Sequence, residues 1–232
     1  MSIPILLAAI GVTAAFAVLA YVLGMVSMGG AAGGFVVGAV IYASLGPQGF
    51  AILALFVVGG SALTRFGYMT KSRAGTAQER GGRRGAKNAA ANCTVAVVCA
   101  LLVAFTGLES FAAAFVASLG AAFADTAESE VGQLFGRHPR LITTFRRIPP
   151  GADGGISLPG TSAGIVAALL TAAFGYALGV FDGTFTLTVV ALAAFIGTMV
   201  DSLIGALLPK IGNELTNLAC TFSAALLAFF LN

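Results

Sequence analysis

The sequence predicts an all-α fold, a polytopic membrane bundle of about seven or eight transmembrane helices with a polar cleft facing the cytoplasm. Three observations lead there. Of the 232 residues, 58% are hydrophobic and only 9% charged, with a mean hydropathy of +0.98, whereas soluble domains carry about a quarter charged residues. At roughly 20 apolar residues per crossing, the length suits a single integral membrane domain over residues 1–232. Finally, charge is concentrated in two basic loops, about 65–87 and 137–160, and in a short acidic run inside otherwise apolar sequence.

The expected spans follow the apolar runs in order. Residues 3–24 lack the basic start of a cleaved signal peptide and read as a retained span. Further spans are expected at 30–44, 50–64, 88–106, 110–124, 162–180, 184–207 and 215–231. The second and fifth are short for a full crossing, which points to tilted, discontinuous or sheltered helices beside a binding site. Glycine is abundant, 31 residues, as expected where helices pack backbone to backbone in lipid. Trp is absent, so Tyr and Phe supply any interfacial belt. Cys93, Cys99 and Cys220 lie in apolar runs without paired spacing and read as core residues. His138 has no partner His or Cys nearby and reads as a solvated loop residue.

The loops orient the bundle. Arg65, Lys71, Arg73, Arg80, Arg83, Arg84 and Lys87 stand against one acid, Glu79, in the first; Arg137, Arg140, Arg146 and Arg147 stand against Asp153 in the second. The positive-inside rule puts both in the cytoplasm. Two spans lie between them, so the assignment is self-consistent, and three spans on either side leave both termini outside. The outer loops keep little beyond Glu109 and Asp182. Brevity and the absence of a targeting extension favour a bacterial inner membrane.

The acidic run, ADTAESEVG over residues 124–132, carries the chemistry. Ionisable groups at membrane depth are costly and therefore mark function. On a helix Asp125, Glu128, Ser129 and Gly132 share one face, while Glu130 falls roughly 140° away. Either Glu130 supports the site from behind, or the helix breaks after Ser129 and redirects it. Asp201, near the end of the seventh span, meets the same face of the membrane, with Lys210, Asn213, Glu214 and Asn217 at the same level. Carboxylates without His or thiolate partners favour a hard cation such as Mg²⁺, with Asp125, Glu128 and Asp201 as its expected ligands. The alternative is that these acids only pair with the arginines at the interface.

The second loop continues as PRLITTFRRIPPGADGGISLPGTSAG over residues 139–164. Its prolines fix turns, and Gly151, Gly154, Gly155 and Gly160 allow close backbone approach, so exposed N–H groups are expected to form an anion-binding nest. Gly160, Thr161 and Ser162 start the next helix, a position that favours phosphate, and Arg146 and Arg147 are placed to clamp it. A flexible linker is the alternative. No G-x-x-x-x-G-K-[ST] run occurs, which excludes a P-loop fold. The first loop joins Arg80, Arg83 and Arg84 to glycines and leads into a span beginning with Asn88 and Asn92. Those arginines serve either as orientation signals drawn to anionic lipid or as phosphate ligands.

Taken in order, the GGRRG loop, ADTAESEVG, PRLITTFRRIPPGADGGISLPGT, the helix GTMVDSLIGALL and NELTN resemble the transmembrane protein 19 family, which includes the phytyl-phosphate kinase of plant vitamin E synthesis. The resemblance covers the chain from about Thr64 onward. It implies an integral membrane kinase that converts a prenyl monophosphate to the diphosphate with a nucleoside triphosphate, CTP being the expected donor. The family pattern D-T-x-x-S-E-x-G falls on Asp125, Thr126, Ser129, Glu130 and Gly132; Glu128 occupies a variable position, and Ala127 stands where an aromatic residue is common. On this basis Asp125, Glu130 and Asp201 are the expected catalytic residues. Lys71, Arg83, Arg84, Asn92, Ser129, Thr143, Thr144, Arg146, Arg147, Gly154, Gly155, Ser157, Gly160, Thr161, Asn213 and Asn217 are the expected phosphate and nucleotide contacts.

The expected partners are a prenyl-phosphate lipid, a nucleotide and membrane lipids, with no nucleic acid; a homo-oligomer is left open. A lipid cytidylyltransferase would use similar parts but release pyrophosphate. A transporter or flippase would expose functional groups near the midplane and on both sides, whereas here they gather on one. A purely structural subunit would not need the acids, and no D-G-x-x-A-R run supports an alcohol phosphatidyltransferase.

Overall fold

A computed structural model describes residues 3–78 and 80–232; Glu79, the acid set against the first loop, lies outside the described residues. Among these, seven helices are long and apolar enough to cross a membrane: α1 Ile3–Val22, α2 Met28–Arg65, α4 Ala86–Thr106, α5 Glu109–Phe135, α6 Leu158–Ala177, α7 Thr184–Leu207 and α8 Asn213–Leu231. A short helix, α3 Tyr68–Arg73, follows α2, and two short strands, β1 Arg140–Leu141 and β2 Gly155–Ile156, pair antiparallel between α5 and α6.

The 38-residue α2 contains the expected second and third spans on either side of Gly46, whose φ of 69° and ψ of −165° leave the helical region. Pro47 follows and cannot continue the hydrogen-bond ladder. The chain folds back there. A Cβ at Gly38 would touch the Phe50 ring at 3.1 Å, and Arg65 at the far end of α2 donates to Leu23 O, 2.5 Å away, in the turn before it. Each half is about 27 Å long at 1.5 Å per residue, close to the thickness of a bilayer's hydrocarbon core.

The fifth span departs from expectation. It is not short: α5 runs unbroken through Asp125 and Glu130 to Phe135. Its alanine-rich length is buried almost throughout by α2, α4, α6, α7 and α8, making it the central post of the bundle. Packing, not lipid, surrounds its acidic turn, and a hydropathy profile cannot register that shelter.

Both basic loops lie at one end. At the other, the Asp182 N–H donates to Glu109 at 2.6 Å, joining the α4–α5 and α6–α7 connections. Thr186 donates to Asn232 at 2.5 Å, tying the C-terminus to the first turn of α7. All three cysteines are buried and free, as core residues should be.

Candidate functional site: a cleft with acidic and basic walls

At the end that carries the basic loops, a cleft of about 1040 Å³ opens between α5, α7, α8 and the two loops. One wall is acidic: Asp125 and Glu128 from α5, Asp201 from α7, Asp153 from the second loop and Glu214 from α8. The facing wall is basic, with Arg80, Arg83, Arg84 and Lys87. Amides and small polar groups fill the gaps, among them Asn88, Asn92, Ser129, Gln133, Ser157, Asn213 and Asn217.

Arg84 joins the walls. Its guanidinium lies 5.0 Å from the Phe56 ring centroid and donates to Thr126 Oγ1 at 3.1 Å, one residue beyond Asp125. Its backbone is pinned as well, since Arg84 N donates to Met25 O at 3.2 Å and Ser27 N donates to Arg84 O at 2.9 Å. Gly60 leaves the space it needs: a Cβ there would lie 2.7 Å from Arg84 Nη2. Burial pulls the guanidinium below the ordinary arginine value, opposed by the fields of Glu130, Cys93 and Asp125. Arginine stays charged through such a shift, and here it is held by a ring face and a hydroxyl while the nearest acids remain unpaired with it.

Two carboxylate oxygens on the acidic wall, Glu128 Oε2 and Asp201 Oδ1, are buried without a hydrogen-bond partner among the described residues. Buried acceptors left this way are costly and call for a partner supplied from outside the chain. No group of three His, Cys, Asp or Glu side chains forms a closed metal cage among the described residues. That donor set fits a hard cation that keeps several waters and shares its shell with phosphate oxygens, binding through one or two carboxylates.

Two expected residues are engaged inside the protein. Glu130 and Lys71 form a buried ion pair, and Lys71 Nζ also donates to Leu63 O at 3.1 Å and Thr64 O at 2.9 Å. All three ammonium protons are therefore used inside the protein, which removes Lys71 from the phosphate contacts. Glu130 lies off the face of Asp125, as the helical period requires, and its pair with Lys71 ties α3 to α5, yet it still borders the cleft. Thr161 donates to Glu128 Oε1 at 2.9 Å, so the N-terminus of α6 already faces an anion of the chain itself.

The expected nest is largely closed. Gly155 N donates to Ala152 O at 3.2 Å, Gly160 N to Ser157 Oγ at 3.3 Å and Thr161 N to Ser157 O at 2.8 Å. The second loop is a built flap, neither a nest nor a slack linker. Pairing of Arg140 with Ile156 and donation from Ile142 N to Gly154 O at 3.0 Å close it on itself. Gly154, Gly155 and Ser157 still line the cleft, but Thr143, Thr144, Arg146 and Arg147 point into solvent on the outer turn. Loop composition does not say which way a turn projects. Arg80, open in the sequence between orientation signal and phosphate ligand, lines the cleft, as do Lys87 and Asp153, which read there only as loop charges; the GGRRG and GADGG runs beside them are the available signal. Ser27 and Gln133 gave none.

Residues 11–228 match the family described as Integral membrane protein DUF92. An uncharacterized membrane protein of Synechocystis sp. is 40% identical over 204 residues, covering 84% of this chain and 78% of that protein. Protein VTE6, chloroplastic, of Arabidopsis thaliana is 34% identical over 187 residues, 78% of this chain and 55% of that protein. An uncharacterized membrane protein of Methanocaldococcus jannaschii is 34% identical over 196 residues, 83% of this chain and 79% of that protein. No solved structure matches.

Proposed function

The chain belongs to the integral membrane protein family DUF92, and from that premise we propose that it is a kinase that converts a prenyl monophosphate, of the phytyl or geranylgeranyl type, to the diphosphate at the expense of CTP or another nucleoside triphosphate. The observation that carries this reading is the cleft in which Asp125 and Asp201 face Arg83, Arg84 and Lys87. The ordered motifs shared with the transmembrane protein 19 and phytyl-phosphate kinase family, and the similarity to VTE6, support it.

An oxygen of the prenyl monophosphate attacks the γ-phosphorus of the nucleotide. The bond from that phosphorus to the β–γ bridging oxygen breaks, and the nucleoside diphosphate leaves with the electron pair. The attacking oxygen is already anionic, so no strong base is needed, in keeping with a cleft without histidine. Such a transfer depends on positioning and charge stabilisation. Arg83, Arg84 and Lys87 would hold the two phosphate chains against each other, and Asn213 and Asn217 would contact the nucleotide. Mg²⁺, when bound, would neutralise charge on the phosphates; Asp125 and Asp201 are the residues to hold it, with Glu128 beside them.

The basic loops at one end support a cytoplasm-facing cleft with both termini outside, and a bacterial inner membrane is the membrane we propose for it. The gathering of polar residues at that end speaks against a flippase, which needs them on both sides. Incubating the solubilised protein with Mg²⁺, geranylgeranyl monophosphate and each nucleoside triphosphate in turn tests the reading. A prenyl diphosphate with the matching nucleoside diphosphate is expected; absence of any lipid product with every donor would reject it.

A further inference from the structure

Beside the polar cleft lies a second, apolar cavity of about 50 Å³, walled by Phe16 and Ala20 of α1, Val37 from the first half of α2, and Phe50, Leu53 and Val57 from the second. By the volume a single water needs, this holds a few waters' worth of matter, roughly the bulk of one isoprene unit. The cavity is partly open, and its polar end is formed by Arg84, Gly85 and Asn88, which line the cleft too. A dry pocket and a charged one thus share one wall, with the half-buried Arg84 guanidinium at the boundary. That arrangement suits an amphiphile whose anionic head and apolar chain part at Arg84.

We propose that this cavity seats the head-proximal segment of the lipid phosphate's apolar chain, so that Arg84 marks the boundary between head and tail. The inference rests on the prenyl-phosphate reading above and adds the place where the chain enters the bundle. Without a seat for the chain, the phosphate would be held by charge alone, in a cleft that also attracts nucleotide. Apolar burial next to the head separates the two substrates, because a nucleotide has nothing to put there. Gly34 lines the cavity, and a Cβ on it would meet nothing within 4 Å. A Cβ there has open space, so a larger side chain at that position is the means to narrow the cavity.

The test uses the full chain in detergent. Geranylgeranyl monophosphate carrying a diazirine on its first isoprene unit is photolysed and the labelled peptides are mapped, while KM values for lipid and nucleotide are measured in wild type, Gly34→Leu, Gly11→Leu and Ala31→Phe, Ala31 being another residue of the cavity wall. Gly11 is exposed on α1 and also has open space around it, which makes it a volume-matched control. Expected are label on α1 and both halves of α2, competed by unlabelled lipid, and a lipid KM raised at least tenfold in both cavity fillers. Nucleotide KM and the control should stay unchanged. A turning-over wild type whose fillers keep the lipid KM, with label elsewhere, overturns the seat and leaves the kinase reading intact. Competed label in the cavity without turnover overturns the kinase reading and leaves the seat.

Discussion

Replacing Glu130 with Gln separates a positioning role from a chemical one. In the native bundle Lys71, 1% exposed, has three acceptors: Leu63 O, Thr64 O and the Glu130 carboxylate. The substitution keeps the shape and two neutral acceptors but strands a buried ammonium without its counter-charge, a loss of about 3–5 kcal/mol. For a chain of this size that corresponds to a fall in thermal midpoint of roughly 6–20 °C. Lys71→Met should cost a similar amount by stranding the carboxylate. The double variant Lys71→Met with Glu130→Leu buries no charge and should recover most of the loss, a coupling that a double-mutant cycle reads directly. Thermal unfolding in detergent gives the stabilities, and lipid phosphorylation assayed below each transition gives the turnover per folded molecule. The double variant should retain activity within about tenfold, as expected when a carboxylate at the edge of the cleft is committed to Lys71 and is not an oxyanion contact. A Glu130→Gln protein with wild-type stability and no turnover would refute the positioning role and return Glu130 to the chemistry.

Other outcomes follow from the cleft. Asp125→Asn should lower turnover at least 100-fold, the scale of losing a principal charge-stabilising group, while the protein still inserts and elutes as a folded species; retained activity would sink its proposed metal role. Gly60→Ala places a methyl 2.7 Å from Arg84 Nη2. It should displace the guanidinium from Phe56 and Thr126, forfeit about 1–3 kcal/mol and raise the KM for lipid phosphate, and an unchanged KM would show that Arg84 does not touch that phosphate. The double substitution Arg146→Ala, Arg147→Ala removes two solvent-facing cations outside the cleft; turnover should change less than about threefold, in line with the small effects of surface changes, whereas Arg83→Ala in the same assay should cost at least tenfold.

The architecture could be read from hydropathy and charge because each crossing is an unbroken apolar run and both basic loops share a parity. Even the fold-back inside α2 left a trace, in the break between the second and third spans that holds Gly46 and Pro47. The extent of α5 left none, since Asp125 and Glu130 lower hydropathy whether lipid or protein surrounds them. The face shared by Asp125 and Glu128 was legible from the helical period, as was the divergence of Glu130. Its partner was not: Lys71 lies in a different loop, and no spacing rule connects residues that meet only through tertiary packing. The second loop misled for a related reason. Glycine and proline declare that a turn exists, but the strand pairing of Arg140 with Ile156 decides that Arg146 and Arg147 face water and that Gly154 faces the cleft.

The account turns on which phosphorus of the nucleotide ends on the lipid. CTP labelled separately at the α- and γ-phosphorus, incubated with the solubilised protein, Mg²⁺ and geranylgeranyl monophosphate, answers that in one chromatogram. A kinase leaves γ-label in a prenyl diphosphate and α-label in free CDP, with no loss of the lipid's own phosphate. α-Label in the lipid, with γ-label released as pyrophosphate, would contradict the kinase reading and identify a cytidylyltransferase.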